Sequence, residues 1–450
     1  MQFRGILFAT LLLAMLGGGL WYSNKVEKAK EGKPAADAPP KILEIPTDQV
    51  QQVDIVKGAE TTSVKKAADG KWELTSPKAF RADQDSVSTL VGTFSSLSSD
   101  RVIEEKAADL SSYGLNTPSL TVSVTKKDGK KVKLLIGDET PTQGGVFTKL
   151  DGDARVFTMA NFSKSSLDKA FKDLQDKRML TFDSDKITRI ELSVKGQTVE
   201  FGKNNANEWQ ILKPKPMRAD GGNVEELVRR LKDAKMDPAA SEEDVKKAAA
   251  AYGGAQPVAV AKVTDAAGTQ QIEVRKTKDN TYYGKGTAVE GIHKLTSDLG
   301  DGLNKSVDDF RNKKLFDFGW SDPSKIEVSD NGKARTFSKS SDKWMEGNQQ
   351  MDSITVQALI DKLRDLSAAK YPESGYTTPV FHVVVTSNEG KRNEKVLISK
   401  TGDKYYAIRE NEPSVYEVDG KVFEELKKAA SDVKEPPPPK KEEKKEEKKK

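Results

Sequence analysis

Asp69-Gly70-Lys71-Trp72, Ala206-Asn207-Glu208-Trp209 and Ser341-Asp342-Lys343-Trp344 are the same turn and the same tryptophan written three times, 137 and 135 residues apart. Each turn follows an alternating segment that ends near Val64, Phe201 or Phe337, so each Trp opens the return strand of a β-hairpin. Working outward, apolar residues recur downstream at Val87, Leu90, Val91, Phe94 and Leu97, at Val224, Leu227, Val228, Leu231 and Ala234, and at Val356, Leu359, Ile360, Leu363 and Leu366. Offsets of 0, 3, 4, 7 and 10 in all three sets place one apolar stripe on one helix face. Asp83, Asp220 and Asp352 stand just before the stripes, where a carboxylate accepts otherwise unpaired first-turn amides.

Further along, Pro118, Pro257 and Pro379 each open a strand. Its inward positions are Leu120, Val122 and Val124, then Ala259, Ala261 and Val263, then Phe381, Val383 and Val385. Gly129, Gly268 and Gly390, each eleven residues past its proline, suit a tight hairpin. The next strand pair carries Phe147, Tyr283 and Tyr406, and ten residues later Phe157, His293 and Tyr416. The first two copies leave through Lys177-Arg178-Met179-Leu180-Thr181-Phe182 and Arg311-Asn312-Lys313-Lys314-Leu315-Phe316, which align as similar exits.

Strand, strand, helix, four strands, helix is the expected unit, and the fold class is α+β: three tandem homologous modules, each with an antiparallel sheet and two helices. The expected boundaries are a transmembrane signal-anchor over 1–24, a spacer over 25–44, modules over 45–183, 184–320 and 321–432, and a disordered Pro/Lys/Glu tail over 433–450. Short joints near Asp183 to Lys186 and Gly319 to Pro323 argue against long flexible linkers.

From Gly5 to Tyr22 the chain carries no charge for 18 residues, enough for a helix of about 27 Å. A retained single-pass anchor in the inner (cytoplasmic) membrane is therefore expected, with the modules extracytoplasmic. Lys25, Lys28, Lys30 and Lys33 behind the apolar run pull the other way. The formal charge is +5, of which seven lysines less four glutamates in Lys440 to Lys450 supply +3, leaving the rest near neutral at +2. That balance, without a basic stripe interleaved with aromatics, argues against nucleic acid as a partner.

Chemistry is sparse. Two histidines, His293 and His382, fall in different modules and occupy slots filled elsewhere by Phe157 and Tyr416, or by Thr121 and Val260; with no cysteine, no metal site is expected. Ser166-Leu167-Asp168-Lys169, Ser329-Asp330-Asn331 and Lys400-Thr401-Gly402 spell the signatures of a penicillin-binding serine acyl-transferase in order, but the last two look like hairpin turns two modules from the serine. Gly284-Lys285-Gly286 lacks the following helix that a phosphate loop needs. Arg81-Ala82-Asp83 and Arg218-Ala219-Asp220 recur nine residues after Trp72 and Trp209; Asp caps the helix there, and Arg covers the Trp or pairs locally. No catalytic, cofactor-binding or metal residue is assigned.

The strand-turn-Trp hairpins, the Arg-Ala-Asp helix entry and Tyr113-Gly114-Leu115-Asn116-Thr117-Pro118 together resemble the bacterial domain of unknown function 4340 family, from Ile45 to about Asp432. The last element is altered to Tyr252-Gly253-Gly254 in the second copy and contracted to Tyr376-Thr377-Thr378-Pro379 in the third. The resemblance implies an envelope protein, often beside auxiliary components of gliding-motility-type ABC transporters, with no established catalytic residues. The expected function is a non-enzymatic accessory or scaffold protein binding an envelope protein partner. Binding of envelope polymer or lipid is the alternative, and a serine acyl-transferase the remote one.

Overall fold

The computed structural model describes residues 40–437 except 142, 321 and 322. The chain divides into two compact units, Met1–Lys177 and Arg178–Lys450. In the first unit a ribbon pairs β1 (Lys41–Glu44) with β6 (Ser96–Ser98). The nine-stranded sheet runs β5-β4-β3-β2-β8-β9-β10-β11-β7. These are Val50–Lys57, Glu60–Lys66, Trp72–Ser76 and Phe80–Arg81 for β2 to β5, Arg101–Glu104 for β7, and Leu120–Lys126, Lys131–Glu139, Gly145–Leu150 and Val156–Ala160 for β8 to β11. Helices α1 (Gln84–Ser95), α2 (Asn161–Leu167) and α3 (Phe171–Leu174) complete the unit. Val87, Leu90, Val91 and Phe94 of α1 share one core with Leu120, Val122 and Val124 of β8.

The second unit holds two sheets of the same order. One runs β15-β14-β13-β12-β16-β17-β18-β19. Its strands are Arg189–Val194, Gln197–Lys203, Trp209–Lys213, Met217–Arg218, Gln256–Asp265, Gly268–Lys276, Tyr282–Gly286 and Val289–Leu295 for β12 to β19. The other runs β23-β22-β21-β20-β25-β26-β27-β28-β24. Its strands are Lys325–Asp330, Lys333–Ser340, Lys343–Glu346, Gln349–Gln350 and Ala368–Lys370 for β20 to β24, then Pro379–Ser387, Arg392–Thr401, Lys404–Arg409 and Val415–Val418 for β25 to β28. The helices are α4 (Gly221–Lys232), α5 (Glu242–Gly254), α6 (Ser297–Leu303), α7 (Val307–Phe310), α8 (Ser353–Asp365) and α9 (Gly420–Ser431). Every stripe residue named above is buried, and Asp83, Asp220 and Asp352 accept the amides of Ser86, Asn223 and Ile354 at 2.8, 3.0 and 3.1 Å. Gly129, Gly268 and Gly390 all take positive φ (81°, 128° and 85°), as their turns require.

Four expectations are corrected. The α+β class gives way to a mostly β chain, with 44% strand against 24% helix, because eight or nine strands build each of the three large sheets while the helices closing the first two copies are broken into pieces of seven and four residues. The single-pass inner-membrane placement is withdrawn: no helix among the described residues is long and apolar enough to cross a membrane, and segment 1–24, on which it rested, lies outside them. Lys41–Glu44, read as spacer, is a strand, and Val433, read as tail, is buried; the remainder of the expected spacer up to 39 and of the expected tail from 438 lies outside the described residues. The exits align two residues away from the expected match. Ala82 bridges Gln175 and Ala219 bridges Arg311, while Arg178 bridges Lys235 and Lys314 bridges Ser367, so Met179 corresponds to Leu315 rather than to Lys313.

Candidate functional site

Lys314 to Trp320 forms a short strap at the foot of the third sheet. Leu315 donates its N–H to Leu366 O at 2.9 Å, fixing the strap antiparallel to the chain that leaves α8. Leu315, Phe316 and Phe318 are buried in the core of that sheet. The Asp317 N–H is received by Glu394 Oε1 at 2.9 Å. Glu394 sits on β26 at a position where alternation calls for an apolar side chain, and it is only 4% exposed. A buried carboxylate is tolerable only when paired and hydrogen-bonded, and Arg409 Nη2 supplies the partner at 3.0 Å.

From this pair a network spreads. Arg409 Nε lies 2.8 Å from Glu412 Oε1 and its Nη1 donates to Leu315 O. Tyr416 O–H donates to Glu412 Oε2 at 2.7 Å. Arg218 contacts the same Glu412 through Nε at 2.8 Å and Asp317 through Nη1. Asn312 Nδ2 donates to both Asp317 oxygens, at 3.0 and 2.9 Å, and Arg392 bonds both Asp317 O and Glu208. Burial works against the Arg218 charge, but Glu412 and Asp317 outweigh it and hold the guanidinium pKa above its ordinary value. Beside them Arg311 stacks 3.5 Å over the Tyr371 ring, and burial pushes the Tyr371 phenol up to about 12. A cleft of about 350 Å³ opens here, lined by Glu208, Trp209, Glu225, Asn312, Asp317 and Arg392 among others.

At its far end the strap turns outward. Gly319 takes φ +60°, and the Trp320 side chain is 90% exposed. Its ring nevertheless has a defined neighbour: Arg364 lies 5.1 Å from the Trp320 centroid and 5.6 Å from that of Phe318, and donates Nε to Gly319 O at 2.8 Å. The Arg364 side chain is itself 12% exposed and paired with Asp361.

The domain of unknown function DUF4340 matches residues 72–215 and 209–380, two segments that open on Trp72 and Trp209. The chain belongs to the DUF4340 family. No curated protein matches it. Among solved structures, one similar chain is a Ca2+-stabilized adhesin that helps an Antarctic bacterium reach out and bind ice; it is 11% identical over 83% of each chain, with a TM-score of 0.09, and that value carries no argument about fold or role.

The candidates singled out from sequence fall apart in this DUF4340 chain. Ser166 donates its hydroxyl to Phe162 O within its own helix, in the first unit. Asn331 donates to Asp330 in the β20–β21 turn, and Lys400 lies over the Tyr405 ring, both in the second. Gly284 to Gly286 lie inside β18. His293 bonds Glu290 O at 2.9 Å, and His382 is half-buried on β25. Among the described residues no group of three or more His, Cys, Asp or Glu is placed to hold a metal. Of the Arg-Ala-Asp pair, Arg81 meets Asp176 at 3.7 Å, while lysines cover the tryptophans, Lys66 over Trp72 and Lys203 over Trp209. Asp317, Glu394, Arg409, Glu412, Trp320 and Arg364 were not anticipated. Only Glu394 carried a local signal, a charge in an apolar alternation.

Proposed function

We propose that this DUF4340 protein is a non-enzymatic accessory or scaffold protein that binds a protein partner through the surface around Trp320. The observation that carries the reading is the combination of 90% exposure with a fixed seat on Arg364. A lone exposed apolar side chain needs no explanation, but an indole held over a guanidinium whose own hydrogen bonds are set has already lost the freedom that binding removes. Trp and Arg are the residues that dominate binding hot spots. The strap behind it is anchored by buried charge pairs that are satisfied internally, which suits a rigid platform. The family resemblance suggests transporter-associated complexes as the first partners to try.

The test is a photo-crosslinking side chain at position 320 in the full chain in cells, with exposed Lys278 as the control position. The expected result is one discrete protein adduct at 320, absent at 278 and competed away by excess unmodified chain. Trp320→Ala should abolish the interaction while changing stability by less than about 0.5 kcal/mol. Adducts only to polymer or lipid, or none at 320, would sink the proposal.

A further inference from the structure

Helices α8 and α9 lie side by side, and a groove of about 330 Å³ runs between them. The start of α8 meets the end of α9, where Asp352 N–H donates to Lys434 O at 2.8 Å; further along, Lys362 Nζ crosses to Glu425 Oε2 at 2.7 Å. Between those ties the groove is lined by Ile354, Ala358 and Ala429. Ile354 is 79% exposed.

The second copy has a corresponding cleft, of about 240 Å³, between α4 and the α6–α7 pair. It is lined by Glu226, Arg230, Lys305 and Asp309 where the third copy has Ala358, Lys362, Lys428 and Asp432. These matches are counted from the caps Asp220 and Asp352 and from the fully buried Leu303 and Leu426. The same count sets Ile354 where the first two copies carry Asp85 and Gly222, and Ala429 where the second carries Ser306. Glu226 in the second cleft is already engaged, by Arg229 at 2.7 Å and Arg230 at 2.8 Å. Three cations there, Arg230, Lys305 and Lys313, face two anions, Glu226 and Asp309, leaving +1. The groove of the third copy has two of each, Lys362 and Lys428 with Glu425 and Asp432, and is neutral.

Nothing inside the chain rewards Ile354. The first turn of a helix carries partial positive charge and favours an acidic side chain, as Asp85 provides in α1, whereas α8 has no acidic residue there. A β-branched residue is also stiffer in a helix than most. An isoleucine left in water at that point forgoes the dipole and gains no burial.

We propose that two copies of this chain pair through their α8–α9 grooves about a two-fold axis, each burying its Ile354 against the groove of the other. In a two-fold contact a patch meets itself, so it must hold both a projecting side chain and the hollow that receives one. Here both lie on the same two helices. The patch must also avoid repelling itself, and a neutral rim with both signs of charge meets that condition, whereas the +1 rim of the second copy does not. Asp432 is the C-cap of α9, where the helix dipole favours a cation, so a lysine brought by the other copy is stabilised there.

Sedimentation equilibrium of the full chain is the test. The native chain should pass from monomer to dimer, and no further, between about 1 and 100 µM. Ile354→Asp restores the acidic first turn of α1, so α8 stays folded, and it should weaken pairing at least about tenfold. Ala358→Glu, the residue of the second copy, should do the same. Because the chain contains no cysteine, one introduced thiol reports the contact alone. Under mild oxidation Ala358→Cys should give a disulfide-linked dimer, while Val245→Cys, at an exposed apolar position of α5, should stay monomeric on a denaturing gel. A monomer at every concentration, a dimer indifferent to both substitutions in α8, or masses that climb beyond two chains would each overturn the inference.

Discussion

Arg409→Met is the most informative single change, because Arg409 ties the strap to the third sheet. Its side chain is 11% exposed and that of its partner Glu394 is 3% exposed. Removing the guanidinium leaves Glu394 with the Asp317 N–H but no counter-charge, and strips Leu315 O of a donor. Breaking a buried pair from one side costs about 3–5 kcal/mol, and the lower end applies here because the amide bond to Glu394 survives. Replacing both members by methionine removes the orphaned charge and should return stability to within about 1 kcal/mol of the native chain. The coupling energy between positions 394 and 409 is then about 2 kcal/mol or more. The assay is urea unfolding of the full chain, followed by hydrogen exchange in peptides spanning 314–319 and 392–400. At a denaturant slope of about 3 kcal/mol/M, the single variant lowers the midpoint of this region by about 1 M. If Arg409→Met costs less than about 1 kcal/mol, or the double variant is no better than the single, the strap is not held through this pair and the account of the network is wrong.

Other consequences follow for both units. Gly114 takes φ +66°, and a Cβ there would lie 2.5 Å from the Asp138 carboxyl, so Gly114→Ala should destabilise the first unit by about 1–3 kcal/mol in thermal unfolding; an unchanged midpoint contradicts it. The hydrogen bonds from Arg155 hold the Asp153 carboxyl at about 2, below its unfolded value near 3.9. A depressed carboxyl contributes stability that is present above the unfolded pKa and lost as pH falls through the folded one, so the acid limb of the first unit should steepen between about pH 4 and 2, and Asp153→Asn should flatten it. The buried Tyr371 hydroxyl finds no hydrogen-bond partner among the described residues. Tyr371→Phe should therefore leave the second unit as stable or up to about 1 kcal/mol more stable, and abolish a phenol titration near 12 in an ultraviolet pH scan.

What could be seen in the sequence was whatever repeats within a few residues of itself. The helix stripes, the Asp caps, the inward strand positions and the turn glycines are set by local periodicity, and the chain folds locally as they dictate. The straps were invisible for the opposite reason. Met179-Leu180 and Leu315-Phe316 are apolar pairs in charged surroundings with no period of their own, and their partners lie beyond the next long helix. Matching the exits by their basic residues set them two positions out of register, whereas matching by the apolar pairs gives the register that the bridges at Lys235 and Ser367 demand. Arg218 repeats Arg81, yet it is held by Asp317 and Glu412, contacts no local pattern encodes.

The same contrast explains why the third copy diverges where it does. It lacks the arginine of the helix entry, with Gln350 opposite Met345 where Arg81 and Arg218 pair with Glu73 and Gln210. In the first copy that arginine meets Asp176, and in the second Asp317, residues on the segment by which the chain leaves each of those copies. In the third copy Gln350 is exposed, so the side chain at this position meets solvent and needs no ion-pair partner to hold it. Gln350→Arg should therefore change the stability of the second unit by less than about 0.5 kcal/mol in urea unfolding, and a larger loss contradicts the argument.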